Sequence, residues 1–282
     1  MAIFAAIPRA PGPLASSELH RSLLPRLLLV FLLLSFAACR KKESPSPNAR
    51  ANTAPSSTGV SLPGPRLAVI IDDLGYELAS SERLFALPFH MTAAVLPNHP
   101  FSAQVAERAN QRGFQVILHL PMESAAGDEK AEASELRSGM TPQEISRTLD
   151  EMLAGVPHAA GVNNHQGSRA TADAALMRSL VAALRSRHLF LVDSRTSSDS
   201  VAYNSARAAG LPAAYRTIFL DDVAAPAGIA AQLALAERQA RERGWALAIG
   251  HPYRATLDVL TEALPGIEAR GVRLVYASEV VE

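Results

Sequence analysis

The stretch Leu67 to Gly75, Leu-Ala-Val-Ile-Ile-Asp-Asp-Leu-Gly, restricts the possible folds more than any other. Its five leading apolar residues offer no polar face to water. Such a run suits a strand buried on both sides, as in a parallel sheet covered by helices. It ends in two adjacent carboxylates, Asp72 and Asp73. In barrels and open α/β sheets, ligands bind at the C-terminal ends of the strands. Neighbours on an extended chain point to opposite sides, so the two carboxylates can take different roles. The alternative is that Asp73 caps a following helix while Asp72 is solvated in a loop.

Strand-like and helix-like patterns alternate from there to the C-terminus. The strand candidates are Leu67–Ile71, Met91–Leu96, Phe114–Leu118, Ala159–Asn163, Leu189–Val192, Tyr215–Leu220, Ala246–Ile249 and Val272–Tyr276. Helices are expected over Phe101–Arg112, from the capping box Thr141-Pro-Gln-Glu144, over Ala172–Arg187, and over Pro226–Arg243 before Gly244. A further helix over Thr256–Arg270 should be interrupted by Pro265. This order predicts a distorted (β/α) barrel of about seven to eight parallel strands, with a doubly wound open sheet as the alternative. The polar segment Ser124–Ser138 reads as a loop over the barrel mouth.

Residues 1–65 follow other rules. They carry seven Lys/Arg against two Asp/Glu, whereas the remaining 217 carry twenty against twenty-five. The main domain, 66–282, is therefore mildly acidic, which argues against nucleic acid as its partner. Arg21 and Arg26 precede the apolar run Leu27–Ala38 and then Cys39. A basic flank, a short apolar core and small residues make a secretory signal. The core is shorter than the roughly 20 residues of a spanning helix. Phe36-Ala-Ala-Cys39 resembles a bacterial lipobox, with Phe36 where an aliphatic residue is usual. Residues 1–39 then form a leader whose Cys39 is lipidated, giving an exported protein held at the membrane in the periplasm or cell envelope. The alternative is a signal anchor with an incidental cysteine. Residues 40–65, rich in Ser, Pro, Asn and Thr, read as a disordered tether.

Polar residues recur just after the strands. They are His119-Leu-Pro-Met-Glu123, Asn163-Asn-His-Gln-Gly-Ser168, Asp193-Ser-Arg195, Asp221-Asp222 and Gly250-His-Pro252. In a barrel these ends converge on one mouth. Three histidines and an Asp pair meeting there point to a shared metal site. Nitrogen and carboxylate ligands suit zinc or a similar divalent ion with a position left open for water.

These motifs resemble the divergent polysaccharide deacetylase family, a branch of the NodB-homology carbohydrate esterases. The resemblance runs from about Leu67 to the C-terminus. Its pieces are Ile70–Gly75, Leu118–Glu123, Gly161–Ser168, Val192–Thr196, Arg216–Asp221 and Ile249–Pro252. It implies a NodB-like barrel and metal-assisted removal of acetyl groups from an N-acetylated sugar. Position by position, it makes Asp72 the base and Asp73 a metal ligand. His119 becomes a second ligand, and Glu123 stands where the superfamily has a second histidine. His165 could supply the missing nitrogen, because Pro121 argues against one helix through His119 and Glu123. His251 matches the late catalytic histidine that protonates the departing amine. The superfamily's Arg-Pro-Pro-Tyr stretch is absent, and Asn163–Ser168 stands in its place. Asn164, Gln166 and Ser168 either bind sugar hydroxyls or hold the loop. Asp193 either contacts substrate or a site histidine, or pairs with Arg195; Asp221 has the same choice with Arg216. Tyr76, Tyr203 and Tyr253 are candidates for sugar stacking or for the core. His90, His99 and His188 read as structural or surface residues.

Three functions fit. One is a metal-dependent deacetylase acting on polysaccharide or peptidoglycan in the envelope. Another is a catalytically silent protein using the same cleft to bind glycan or a partner. The third is a different metallohydrolase, since metal and carboxylates alone do not fix the substrate.

Overall fold

The computed structural model describes residues 64–125 and 132–282. The leader, its Cys39, nearly all of the tether and the centre of the Ser124–Ser138 loop lie outside the described residues. In chain order the elements are β1 (Arg66–Leu74), α1 (Leu78–Phe85), β2 (Thr92–Val95), α2 (Ser102–Gln111) and β3 (Gln115–Met122). Next come α3 (Pro142–Ala154), β4 (Gly161–Gln166), α4 (Ala174–Arg185), β5 (Phe190–Asp193) and α5 (Ala202–Ala208). The last are β6 (Ala213–Tyr215), β7 (Ile218–Phe219), α6 (Pro226–Arg243), β8 (Trp245–Gly250), α7 (Arg254–Ala269) and β9 (Arg273–Val275).

All paired strands run parallel, in the order β6-β5-β4-β3-β2-β1-β8-β7, with β9 paired to β1. The two ends of this series are neighbours in sequence. Only Arg216 and Thr217 separate β6 from β7. An extended chain advances at most ~3.6 Å per residue, so the sheet must curl until its edges nearly meet. The result is the expected distorted (β/α) barrel. The run Tyr215–Leu220 is accordingly not one strand. Its start pairs with β5 and its end with β8, and the crossing between them bridges the barrel's seam.

Burial separates two layers of apolar side chains. Leu67, Val69 and Ile71 of β1 join Val116, Leu118, Leu191 and Ala248 under the helices. Ala68 and Ile70 join Ile117, Phe190, Val192, Leu247, Ile249 and Val275 inside the barrel. That inner cluster fills the floor. The ring of Phe190 leaves no room for a Cβ at Gly161, which would lie 2.6 Å from it. One step of the strand repeat above this floor, inward positions become polar. Ile70 is followed by Asp72, Ile117 by His119, Gly161 by Asn163, Val192 by Ser194 and Ile249 by His251. The floor thus keeps the barrel solid below a polar mouth.

The capping box of α3 forms, with the Thr141 side chain accepting from the Glu144 N–H and the Glu144 carboxylate from the Thr141 N–H. Helix α6 starts at Pro226 and ends at Arg243, where Gly244 takes φ +83°. Pro265 does not interrupt α7. Leu264 and Ile267 on either side of it are both buried. Their burial, about 1.5–3 kcal/mol each, offsets a cost of about 3 kcal/mol for the internal proline.

Candidate active site

A cleft of about 420 Å³ opens at the C-terminal ends of the strands. Asp72, Asp73, His119, Asn164, His165, Arg195, Arg216 and His251 are in its walls. A slightly larger hollow, about 470 Å³, lies between α4 and α5. Its walls carry no acid and no imidazole.

Strand alternation would send Asp73 away from Asp72. It does not, because Asp73 takes φ +57° and the register between β1 and β2 breaks between Ile71 and Leu74. Aspartate tolerates this left-handed conformation better than most residues. Both carboxylates therefore face the mouth. Asp73 Oδ1 lies 3.2 Å from His119 Nε2 and 3.0 Å from His165 Nδ1. The two imidazole nitrogens are 3.1 Å apart. This is a nearly equilateral triangle. Ligand atoms about 2.0–2.1 Å from a tetrahedral zinc stand about 3.3 Å from one another. Asp73 Oδ1 is also buried and accepts no hydrogen bond of acceptable geometry. A buried carboxylate oxygen in that condition is costly unless a cation occupies its front. The three donors thus fit a divalent ion.

Asn163 sets the orientation of the ring beside it. Its amide nitrogen donates to Asp72 Oδ1 at 2.8 Å, so its oxygen must face His119 Nδ1, 2.9 Å away. Nδ1 then carries the proton and Nε2 presents a lone pair to the triangle, as metal-binding imidazoles are commonly held. Asn163 was not singled out in the sequence. It sits two residues before His165, on the same side of β4 by strand periodicity, and that was the available signal.

His251 is oriented by Asp221 rather than by Asp193. The register Phe219↔Ile249, continued by two residues, sets Asp221 beside His251. Asp221 Oδ1 accepts from His251 Nδ1 at 2.9 Å, and Oδ2 accepts from the His251 N–H and the Thr256 hydroxyl, each at 2.7 Å. The expected pairing of Asp221 with Arg216 does not occur. Arg216 donates instead to the carbonyls of Ser194 and Arg195. His251 Nε2 is left facing the cleft, 3.7 Å from Asp73 Oδ2.

These contacts set the charges. Burial pushes Asp72 above the usual carboxylate range, and the nearby imidazoles of His119 and His251 only partly offset it. Burial opposes ionisation of Asp73 too, but His119 and His165 overcome it and hold that carboxyl well below its usual range. Burial disfavours a charged His119, yet Asp72 and Asp73 beside it push its pKa up to about 9. His251 is likewise raised, with burial outweighed by the hydrogen bond to Asp221 and by the other acids.

Four sequence-derived candidates fall outside this chemistry. Glu123 is not near the triangle: its carboxylate accepts from the Ser138 N–H and lies 3.6 Å from Arg169. The reason is that β3 runs on as a strand through Met122. Four residues span about 13 Å in a strand but only about 6 Å in a helix. The Asp193 carboxylate is taken up by the Arg195 N–H, the Ser200 hydroxyl and the Tyr203 N–H, so it ties down its own loop. Ser168 Oγ accepts from the Ala125 N–H, joining two loops. Asn164 borders the cleft, but it accepts from the Ser194 N–H and donates to the Gln166 carbonyl. Its amide therefore braces the rim. His99, read as structural or surface, joins Tyr76 in holding Glu132 at the mouth. Tyr76 donates to Glu132 Oε1 at 2.8 Å, and His99 Nε2 is 3.0 Å from Oε2.

The profile of the divergent polysaccharide deacetylases matches residues 69–281, all of the barrel but the first three residues of β1. The chain belongs to this family. Two relatives are similar over two thirds or more of their own lengths. An uncharacterized protein of Haemophilus influenzae is 37% identical over 207 residues, covering 73% of this chain and 74% of that one. The uncharacterized protein YibQ of Escherichia coli K12 is 34% identical over 216 residues, covering 77% and 67%. The crystal structure of the uncharacterized protein ATU2773 from Agrobacterium tumefaciens C58 superposes with a TM-score of 0.74 at 22% identity, over 77% of this chain and 89% of that one. It shows that this divergent-deacetylase barrel shares the fold of ATU2773.

Proposed function

We propose that the protein is a metal-dependent hydrolase that removes acetyl groups from an N-acetylated polysaccharide of the cell envelope. The observation that carries this reading is the triangle of Asp73, His119 and His165, flanked by Asp72 and by His251. The family's description as polysaccharide deacetylases supplies the substrate class. When bound by the three donors, a divalent ion supplies Lewis acidity, polarising a carbonyl and easing deprotonation of water. Asp72, with its raised pKa and its place beside the triangle, accepts the proton of the attacking water. The water oxygen adds to the acetyl carbon and the carbon–nitrogen bond breaks. His251, held protonated by Asp221, gives the Nε2 proton to the departing amine. The products are acetate and a free amino sugar.

The test is metal analysis of the purified protein with acetate-release assays on chito-oligosaccharides and peptidoglycan. The expected result is about one ion per chain, with activity lost on chelation. Asp72→Asn and His251→Ala should each lower the rate about a hundredfold to ten-thousandfold while metal content stays near that of the wild type. Fully metal-loaded protein that releases no acetate from any acetylated envelope polymer would leave the glycan-binding reading in its place. Export and lipid anchoring rest on the Leu27–Ala38 run and Cys39. Cys39→Ala should abolish lipid labelling and release the protein from membranes; unchanged labelling and fractionation would refute the anchor.

A further inference from the structure

Beyond the acids and imidazoles, the cleft has two cations that the proposed chemistry does not use. Arg195 and Arg216 both border it, and among the described residues neither guanidinium forms an ion pair. Asp222 borders the same cleft but is exposed and pairs with neither. Arg216 is half-buried. Its Nε and Nη2 donate to the carbonyls of Ser194 and Arg195, at 2.6 and 2.8 Å, and it lies 4.7 Å over the ring of Phe219. Asp72, Asp193 and Asp222 favour its charge from beyond ion-pair distance, whereas a guanidinium drawn out of water this far is ordinarily matched by an anion in direct contact. Arg195 holds φ +49° and stacks over Tyr215 at 3.7 Å. Stacking occupies the flat face of a guanidinium and leaves its in-plane donors free. That fork suits a carboxylate or phosphate and is more than neutral hydroxyls need.

We propose that the glycan accepted here is anionic, with a carboxylate or phosphate near the acetylated amine docking on Arg195 and Arg216. This rests on the deacetylase reading for the position of the acetyl group, and on the two unpaired cations for the charge. The substrate class is then an acidic aminosugar polymer rather than a neutral one.

The test compares matched polymers on the full protein loaded with metal. They are peptide-free peptidoglycan strands with free lactyl carboxylates, the same strands amidated, neutral chito-oligosaccharide, and phosphorylated chito-oligosaccharide. An oxyanion on a charged donor should raise kcat/KM about tenfold or more over its neutral counterpart. The preference should shrink as salt is added. Arg195→Asn removes the fork while tolerating positive φ; it should bring the charged-to-neutral ratio near one, with circular dichroism verifying the fold. A preference for the phosphorylated over the carboxylated polymer would assign the anion as phosphate. Equal rates on charged and neutral polymers would overturn the inference and leave the deacetylase standing. A charge preference that survives intact in Arg195→Asn would also overturn it. If no polymer releases acetate, the deacetylase fails, and equilibrium binding of the same polymers decides the inference. Charge-dependent binding lost in Arg195→Asn upholds it, and charge-independent binding or none rejects it.

Discussion

Asn163 couples two groups of opposite duty. Through one amide it accepts a hydrogen bond from His119 Nδ1–H and donates one to Asp72. Replacing it with alanine removes both contacts from a buried place, where each unpaired polar group costs about 1–3 kcal/mol. Removing the hydrogen-bond partner of a metal-binding imidazole typically lowers affinity 10–100-fold. Asn163→Ala should therefore bind zinc about 10–100-fold more weakly, as read by chelator competition, with a thermal unfolding midpoint lowered but a fold retained. Unchanged affinity would mean that the ring is held by packing alone. At this scale the sequence was partly legible. Asp73, His119 and His165 could be picked out because each is a ligand-type residue just past a buried run. Asn163 was harder to read, since an amide has no charge to mark it and only its place two residues before His165 set it apart from Asn164. Asp221 was visible, but its partner depended on the register between β7 and β8, which no local pattern carries.

Whether β3 is extended or helical at His119 decides what can reach the ion. The spacing His119 to Glu123 looks like a ligand pair only if a helical turn joins them. The extended backbone instead commits the Glu123 carboxylate to the Ser138 N–H. Glu123→Gln should thus keep metal affinity within about twofold of the wild type, because its metal loss would require direct ligation, whereas His165→Ala should lose most of it. A large loss in Glu123→Gln would show that the loop closes onto the ion in solution. Element boundaries were legible where chemistry punctuates them. Pro226 and Gly244 frame α6 because one fits a first turn and the other the left-handed exit. Helices α1 and α5 carry no such marks and are only eight and seven residues long, so they went unread. The division of Tyr215–Leu220 was hidden for another reason. Closing a barrel is a property of the whole sheet, and an apolar run looks the same on either side of a seam.

The triangle draws on β1, β3 and β4, so an ion there would tie together strands that are not all neighbours, and its binding energy becomes folding energy. Proton and ion compete for the same nitrogen. In the metal-free protein His119 is pushed up to about 9, above an unfolded value near 6.5. A folded pKa raised in this way stabilises the fold fully below about pH 6.5, and the gain is lost as pH rises through about 9. His251 is raised in the same direction and adds the same sign. Asp73, held low, affects stability only when the solution becomes acidic, well below this window. The metal-free protein should therefore melt at progressively lower temperature between pH 6.5 and 9. Zinc should act oppositely. At pH 7 it must displace the His119 proton, so its affinity should rise up to about tenfold per pH unit and level off near pH 9. The shift in melting temperature caused by zinc then grows over the range in which the metal-free midpoint falls. Parallel melting curves with and without zinc, recorded by calorimetry from pH 6.5 to 9, would test this directly. A zinc shift that stays flat or shrinks with pH would mean that His119 does not give up its proton to the ion, and the triangle would then be an ion-pair network holding three strands together by itself.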